Sequence, residues 1–270
     1  MFPKDKSAAS HGQGGGDLAL SVVIPVFRNA ATLRSLHQRL TDSLPAFRGD
    51  YELLFVNDAC PAGSLAVLRD LAADPAVQVI DLPVNVGQHA AILAGMRHAR
   101  GTRVVVMDAD LQDPAEVIPE LLARLDEGYD AVFAGRRGEY EASLRLLTSR
   151  LFKALLSWVT GLPADAGAFV ALNRRTAAAV LAFRPRAPFV PLLVGLAARR
   201  VMSYPVERSR RAVGASAYSG FQRLRLGILA LSWAMTWRFL PPARRWLRDV
   251  GTASPMEDPD SGEGARRRRG

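Results

Sequence analysis

The sequence has a single cysteine, Cys60, and no long hydrophobic run. One cysteine excludes a disulfide within the chain and is typical of proteins from a reducing compartment such as the cytoplasm. The most apolar late stretch, residues 226–237, lies between two arginines and is shorter than the ~20 residues that span a bilayer. The first residues have no apolar region of a secretory signal. These absences predict a cytoplasmic protein, with peripheral binding to the inner face of the membrane as the closest approach to lipid.

Positive charge is in excess, with 35 lysine and arginine residues against 26 aspartate and glutamate residues. The formal net charge is +9 over 270 residues, and part of it comes from Arg266 to Arg269 near the carboxyl terminus. Such an excess fits nucleic acid, an anionic membrane surface or a polyphosphate substrate. The sequence lacks the interleaved aromatic and basic residues of single-strand binders, so we expect no nucleic-acid partner.

The chain is predicted to form one domain, residues 18–240, between a disordered leader (1–17) and a basic, disordered tail (241–270). In its first half, 18–135, apolar runs alternate with helical patterns. Strands are predicted at 18–24, 51–56, 77–82, 103–107 and 130–134, and helices at 31–44, 64–72, 88–100 and 114–127. This alternation predicts an α/β fold with an open parallel sheet and helices on both faces.

The second half, 136–240, is less regular. It is predicted to contain a long helix at 143–160, a strand at 168–172, short helices at 176–182 and 188–197, and a strand at 201–206. A basic segment, 207–218, and a final amphipathic helix to about residue 239 follow. We interpret this half as the part that holds the acceptor of a reaction.

Three predicted strands end in polar residues, at 25–29, 57–60 and 108–113. Ligands of open α/β sheets bind beyond the carboxyl ends of the strands. Asp108 and Asp110, one residue apart, both have the oxygen ligands that Mg²⁺ or Mn²⁺ prefers, and such an ion also binds substrate phosphates. Alternatively, Asp110 or Asp113 only caps the helix that begins near Pro114.

The motifs, taken in order, resemble family 2 glycosyltransferases. They are IPVFRN, LLFVNDACPAGS, VNVGQHAAILAGMRHARG, VVVMDADLQDPAEVIPEL, AGRR, DAGAFVALNRR and PVERSRRAVGASAY. The resemblance covers roughly residues 18–240 and is strongest to the branch of dolichol-phosphate-mannose synthases and polyprenyl-phosphate glycosyltransferases. It implies a GT-A (Rossmann-like), mostly parallel sheet flanked by helices, with a C-terminal amphipathic helix.

The resemblance also implies a function: metal-dependent, inverting transfer of a sugar from a nucleotide-diphosphate sugar to an acceptor, a polyprenyl phosphate in that branch. Mg²⁺ or Mn²⁺ is the implied cofactor, bound by Asp108, Asp110 and Gln112. The implied catalytic residues are Asp165, near the attacking acceptor, and Asp110. The implied donor-binding residues are Pro25, Phe27, Asp58, Asn85, Gly87, Asp108, Gln112 and Arg136. The implied acceptor- and phosphate-binding residues are Arg145, Ser149, Arg211 and Ser216.

Several positions depart from the pattern of the family. Phe27-Arg28-Asn29 stands where relatives have Tyr-Asn-Glu, and the second motif keeps one acid, Asp58. Many relatives with prenyl-phosphate acceptors continue into transmembrane helices, which are not found here. Two alternatives therefore stay open: a soluble transferase that acts on a hydroxyl of a small molecule, and a non-catalytic nucleotide-sugar-binding subunit. Membrane contact is expected only through the basic C-terminal amphipathic helix.

Overall fold

The described part of the chain is built around a seven-stranded sheet. The computed structural model describes residues 18–47, 50–137, 161–185 and 188–207. The strands run in the order β3-β2-β1-β4-β6-β5-β7 across the sheet. Their bounds are β1 Leu20–Val26, β2 Tyr51–Asn57, β3 Val77–Asp81, β4 Arg103–Val106, β5 Ala131–Arg137, β6 Val170–Asn173 and β7 Val201–Glu207.

The sheet is mostly parallel, as the sequence predicts. β1 pairs in parallel with both β2 and β4, β2 with β3, and β5 with β7. Among the strands in the described residues, β6 alone is reversed, because it pairs antiparallel with β4 on one side and β5 on the other. The reversal brings the start of β6 to the end of β4, where Val170 lies beside Val106. Residues that precede β6 are thereby placed on the side of the sheet where the parallel strands end.

Six α-helices are described. They are α1 Leu33–Ser43, α2 Ser64–Leu71, α3 Gln88–His98, α4 Ile118–Asp126, α5 Arg174–Ala182 and α6 Val190–Ala197. Short 3₁₀ helices cover Pro45–Phe47 and Ala115–Val117. The predicted start of α4 at Pro114 is wrong by four residues. Pro119 has no amide hydrogen to donate to residue 115, so the α-helix begins where proline falls in its first turn.

Helices cover both faces of the sheet, which explains the continuous apolar strands. One buried cluster contains Val22 and Ile24 of β1 together with side chains of α1, α2 and α4. The other contains Val23 with side chains of α3, α5 and α6. Alternate residues of β1 thus enter opposite cores, and no face of that strand is left to water.

Helix α3 lies unusually close to the sheet because of a glycine. A Cβ atom on Gly95 would lie 2.5 Å from Val23 Cγ1 and 2.7 Å from Val56 Cγ2, so only glycine fits this contact. The close approach fixes the position of α3 over β1 and β2. Its first turn is thereby held at the carboxyl ends of those strands.

Some predicted elements lie outside the described residues: the leader, the helix at 143–160, the final amphipathic helix and the tail. Among the helices that the structure does describe, none is both long and apolar enough to cross a bilayer.

Candidate active site at the carboxyl edge of the sheet

The carboxyl ends of β2, β1 and β4, three neighbouring strands, meet at one edge of the sheet. The loop after each of them contains a non-glycine residue with positive φ: Arg28 (φ 61°), Ala59 (φ 47°) and Leu111 (φ 61°). Such backbone is unfavourable for side chains with a Cβ and concentrates at functional sites. These are the three such residues in the described part of the chain, and all three lie at this edge.

The acidic loop, residues 108–113, follows β4 and is held by several hydrogen bonds. Asp108 accepts from Gln88 Nε2 through its Oδ1 (2.6 Å), while its amide donates to Asp113 Oδ2 (3.3 Å). Asp110 Oδ1 accepts from the amide of Gln112 (3.2 Å). Thr32 Oγ1, at the start of α1, lies 2.6 Å from the carbonyl oxygen of Ala109 and donates to it. The loop is therefore fixed to α1 and α3 as well as to its own strand.

The donor set of this loop fits a divalent cation that shares its ligands with a substrate. Asp108 and Asp110 are partly exposed carboxylates, whereas Asp113 is fully buried behind them. Within residues 18–47, 50–137, 161–185 and 188–207, no group of three or more His, Cys, Asp and Glu side chains could hold a metal ion. Mg²⁺ commonly takes one or two protein carboxylates and completes its shell with phosphate and water. Two carboxylates at the end of a strand match that mode rather than an all-protein cage.

Asp58, predicted to bind the nucleotide base, lies buried at the end of β2 and faces the turn before α3. Its Oδ1 accepts from the amide of Val86 (2.7 Å) and its Oδ2 from the amide of Gly87 (2.9 Å). Asn85 Nδ2 donates to the carbonyl oxygen of Asp58 (3.1 Å). The structure thus brings together three of the predicted donor-binding residues, Asp58, Asn85 and Gly87.

The loop after β1 contacts the loop after β2 through a sulfur atom. Pro25 pairs with Val56 in the sheet, and Phe27 follows at the strand end, where its amide donates to Asn29 Oδ1 (3.1 Å). The amide of Arg28 donates to Cys60 Sγ (3.0 Å), and the Arg28 guanidinium lies 5.2 Å from the centre of the Phe27 ring. The Asn29 side chain thus helps to fix the loop.

Cys60 is an acceptor of several hydrogen bonds. Burial alone would raise the pKa of its thiol, but a hydrogen bond shared with Ser64 Oγ and hydrogen bonds from the amides of Arg28 and Ala62 outweigh that effect and lower the pKa. The thiol therefore connects two loops of the site, and the structure shows it in no other role.

Asp165, the predicted catalytic residue of the acceptor half, precedes β6. Its Oδ2 accepts from Ser203 Oγ of β7 (2.7 Å). A Cβ atom on Gly135 would lie 2.0 Å from Asp165 Oδ2 and 2.0 Å from Ser203 Oγ, so glycine in β5 makes room for this pair. Because β6 is reversed, Asp165 lies on the same side of the sheet as the acidic loop.

The remaining predicted residues divide into two groups. Arg136 lies near the end of β5, beside Val206 of β7, and so at the same edge. Four predicted acceptor- and phosphate-binding residues lie outside the described residues: Arg145, Ser149, Arg211 and Ser216.

Sequence reasoning missed Gln88, Thr32 and Ser203. Gln88 directly follows the Asn85-to-Gly87 motif, and Thr32 directly precedes α1. Gln88 and Thr32 lie at the starts of predicted helices, which was the available indication, whereas Ser203 lies within a predicted strand and had none. The partners of all three residues depend on the packing of the folded chain.

Comparison with known proteins identifies the family of the chain. The model of the family described as "Glycosyl transferase family 2" matches residues 21–178, more than half of the chain. An undecaprenyl-phosphate 4-deoxy-4-formamido-L-arabinose transferase from Enterobacter sp. (strain 638) is 38% identical over 209 residues, 76% of this chain and 64% of that protein. The chain thus spans just under two thirds of the length of this relative.

Solved structures support the fold. A mannosyltransferase from Pyrobaculum calidifontis, in complex with GDP-Man and Mn²⁺, has a TM-score of 0.55 and 18% identity, over 88% of this chain and 76% of its own. Glucosyl-3-phosphoglycerate synthase from Mycobacterium tuberculosis, in complex with Mn²⁺, UDP and glucosyl-3-phosphoglycerate, has a TM-score of 0.55 and 18% identity, over 85% and 86%. The sheet, the strand-end site and these matches show that the chain belongs to glycosyl transferase family 2 and has the GT-A fold.

Proposed function

We propose that this protein transfers a sugar from a nucleotide-diphosphate sugar to a polyprenyl phosphate, with Mg²⁺ or Mn²⁺ bound at Asp108 and Asp110. The undecaprenyl-phosphate transferase that is 38% identical over 76% of this chain supports the choice of acceptor. The observation that carries the proposal is the pairing of two acidic positions at one sheet edge. Asp58 lies at the end of β2 and Asp108 at the end of β4, joined by the single turn that precedes α3.

A nucleotide-diphosphate sugar can extend from Asp58 to the acidic loop. The base and ribose lie over the ends of β1 and β2, near Asp58 and Phe27, and the diphosphate lies over the acidic loop. When bound, the cation neutralises the charge that develops on the leaving diphosphate. Gln112, partly exposed in the same loop, is proposed to contribute an amide oxygen to the cation or the diphosphate. The domain division that we propose is a donor half, 18–135, and an acceptor half, 136–240.

In the acceptor half, Asp165 is proposed to act on the attacking group. A lipid phosphate is already anionic and needs orientation rather than deprotonation, whereas a hydroxyl needs a base. Ser203 donates to one carboxylate oxygen of Asp165 and so sets its orientation. An oxygen of the acceptor then attacks the anomeric carbon from the face opposite the leaving diphosphate, which inverts the configuration.

The direct test is a donor screen that measures release of nucleoside diphosphate. UDP- and GDP-sugars are each supplied with Mg²⁺ or Mn²⁺, with and without undecaprenyl phosphate. Release that depends on the lipid supports the proposal. Release that depends on a small-molecule hydroxyl instead would overturn the proposed acceptor. Donor binding by calorimetry with no turnover on any acceptor would show a non-catalytic binding subunit.

Asp165→Asn separates the two kinds of acceptor. With a phosphate acceptor we expect a loss of about tenfold in kcat, because orientation is only weakened, while loss of a general base costs about 10²–10⁴-fold. Asp70→Asn, an exposed aspartate paired with Arg34 on the surface, is the matched control and should leave kcat unchanged.

Peripheral membrane contact is part of the proposal. The net charge of +9 and the basic residues near the carboxyl terminus favour an anionic lipid surface. Co-sedimentation of the full chain with vesicles of phosphatidylglycerol and phosphatidylcholine tests it. Binding should be strong at low salt and decrease as salt rises, and absence of binding at low salt would contradict it.

A further inference from the structure

One short turn connects the two acidic positions of the site. The bridging turn, residues 85–88, follows β3 and ends with the first residue of α3. Its Asn85 side chain and the amides of Val86 and Gly87 all contact Asp58, and its last residue, Gln88, donates to Asp108 Oδ1 at 2.6 Å. Four consecutive residues thus contact both Asp58 and Asp108, the two ends of the site proposed to hold the donor.

Gln88 is held in place from the helix side. Gly87 has φ 85° and ψ 154°, a backbone conformation that is essentially confined to glycine, and this turns the chain from Asp58 into α3. The close packing of Gly95 against Val23 and Val56 then fixes the helix to the sheet. The Gln88 amide therefore approaches Asp108 from a rigid element and not from a free loop.

The hydrogen bond between Gln88 and Asp108 neither caps helix α3 nor belongs to its packing against the sheet. The first turn of α3 has no side-chain cap, and its buried face is formed by Ala91, Ile92, Leu93, Gly95 and Met96. Gln88 is only partly buried and belongs to neither apolar cluster. Its hydrogen bond to Asp108 instead has the geometry of a group that orients a metal ligand.

We propose that Gln88 is a positioning residue that aligns Asp108 for the divalent cation, and that the bridging turn couples cation binding to nucleotide binding at Asp58. The inference rests on the proposed function, because it requires the cation at Asp108 and Asp110. A hydrogen bond from Gln88 fixes the rotation of the Asp108 carboxylate, and loss of such an outer contact typically weakens metal binding about 10- to 100-fold. Because the turn contacts Asp58 and Asp108 at the same time, a nucleotide that binds at Asp58 acts on the same turn that orients Asp108.

The first test measures Mn²⁺ binding directly and without turnover. It is run without nucleotide and with saturating UDP or GDP, because the diphosphate completes the shell of a cation held by two carboxylates. Free Mn²⁺ is followed by electron paramagnetic resonance for the wild-type chain and Gln88→Met, which keeps an unbranched side chain and removes the donor. We expect a 10- to 100-fold rise in the Mn²⁺ Kd, with an unchanged melting temperature. Gln38→Met is the matched control, because Gln38 also donates to a carboxylate, Asp42, but on the exposed face of α1.

The outcomes separate this inference from the proposed function. If the wild-type chain takes up no Mn²⁺ even with UDP or GDP present, beyond what the nucleotide alone binds, or takes it up equally well after Asp110→Asn, the metal site itself is wrong. If Asp110→Asn abolishes binding but Gln88→Met binds within about twofold of wild type, only the role of Gln88 is overturned. Gln88→Leu serves the same comparison if the methionine variant does not fold.

The second test measures the coupling. Kd values for UDP and GDP are determined by calorimetry with and without saturating Mn²⁺, and their ratio is the coupling factor. Coupling is reciprocal, so the factor reports on both sites. Gln88→Met should lower a wild-type factor of about 10 or more by about threefold or more, while the Kd without metal stays within about twofold. The coupling that remains comes from direct contact between the cation and the diphosphate. An unchanged coupling factor in Gln88→Met would overturn the coupling.

Discussion

Buried carboxylates lie both where the parallel strands begin, which we call the amino edge, and where they end, the carboxyl edge. Their hydrogen-bond partners differ between the two. At the amino edge, Glu52 is 1% exposed and its oxygens accept from Ser21, from Gln78 and from both the backbone and side chain of Arg100. At the carboxyl edge, Asp58 accepts from two amides of the bridging turn. Glu52 connects elements that are already regular, whereas Asp58 holds a turn whose glycine has positive φ.

Backbone strain follows the same division. Arg28, Ala59 and Leu111, with positive φ, lie at the carboxyl edge, where the acidic loop is also partly exposed. Buried polar networks in which every group has a hydrogen-bond partner stabilise a fold. Strained loops that expose polar groups to solvent are typical of binding sites. The amino edge should therefore respond to mutation in stability, and the carboxyl edge in binding and turnover.

The largest effect expected is on turnover, from Asp110→Asn. Loss of one of the two carboxylates at the proposed cation site should lower kcat/KM by about 1000-fold, or about 4 kcal/mol of transition-state stabilisation. The amide oxygen of asparagine can still accept from Gln112, so the free energy of unfolding should stay within about 0.5 kcal/mol of wild type. Asp126→Asn, which weakens the surface ion pair with Arg103, is the control and should keep full activity.

At the amino edge, Glu52→Ala should lower stability instead. Ser21, Gln78 and Arg100 lose their common acceptor, and we expect a loss of about 3 kcal/mol in urea unfolding. Glu116→Ala removes an ion pair with Arg39 that is far more exposed and should cost about 0–1 kcal/mol. A lower kcat in Glu52→Ala, measured under conditions where the variant is fully folded, would contradict the proposal that the amino edge affects stability and not turnover.

His89 is a titratable group near the carboxyl edge that the structure uses for packing. Burial lowers its pKa to about 4, its ring packs edge-on against Phe189, and its Nδ1 accepts from the amide of Val190. On unfolding the pKa returns to about 6.5. The folded chain therefore binds the proton less readily, so the stability that neutral His89 contributes is present above pH 6.5 and is lost as pH falls towards 4.

The loss should reach up to about 3 kcal/mol and should be absent in His89→Gln. Urea unfolding at a series of pH values between 7 and about 4 measures it. His98→Gln, an exposed position on the same helix, is the control and should keep the wild-type slope. An identical slope in wild type and His89→Gln would show that the imidazole is not held neutral.

Much of the fold is predictable because each strand is a short apolar run that ends in polar residues. The sequence predicts β4 at 103–107 and the strand is Arg103–Val106, and the polar ends of β1, β2 and β4 do meet at one edge. The predicted start of α4 is wrong because Pro119, rather than Pro114, occupies the first turn of the helix. The helix at 143–160 lies outside the described residues, so it stays a prediction.

The site is predictable as positions but not as contacts. Asp58 and Asp108 follow from their places at strand ends, yet nothing local indicates that residues 85–88 connect them. The pair of Asp165 and Ser203 depends on β5, β6 and β7 lying in an order different from that in the chain. The roles of these residues in binding and catalysis stay predictions.

The smallest effect expected distinguishes two glycines that both have positive φ. Gly87 (φ 85°, ψ 154°) donates its amide to Asp58, whereas Gly63 (φ 76°, ψ 6°) precedes α2, and a Cβ atom added to it would have no neighbour within 4 Å. Gly63→Ala should cost about 1 kcal/mol of stability, since left-handed helical backbone is only mildly unfavourable for alanine. Gly87→Ala should cost about 1–3 kcal/mol, and it should also weaken UDP or GDP binding, because relaxing the strain moves the amide away from Asp58. Calorimetry at a temperature where both variants are folded separates the two effects. Equal nucleotide affinity in the two variants would mean that the bridging turn only shapes the fold.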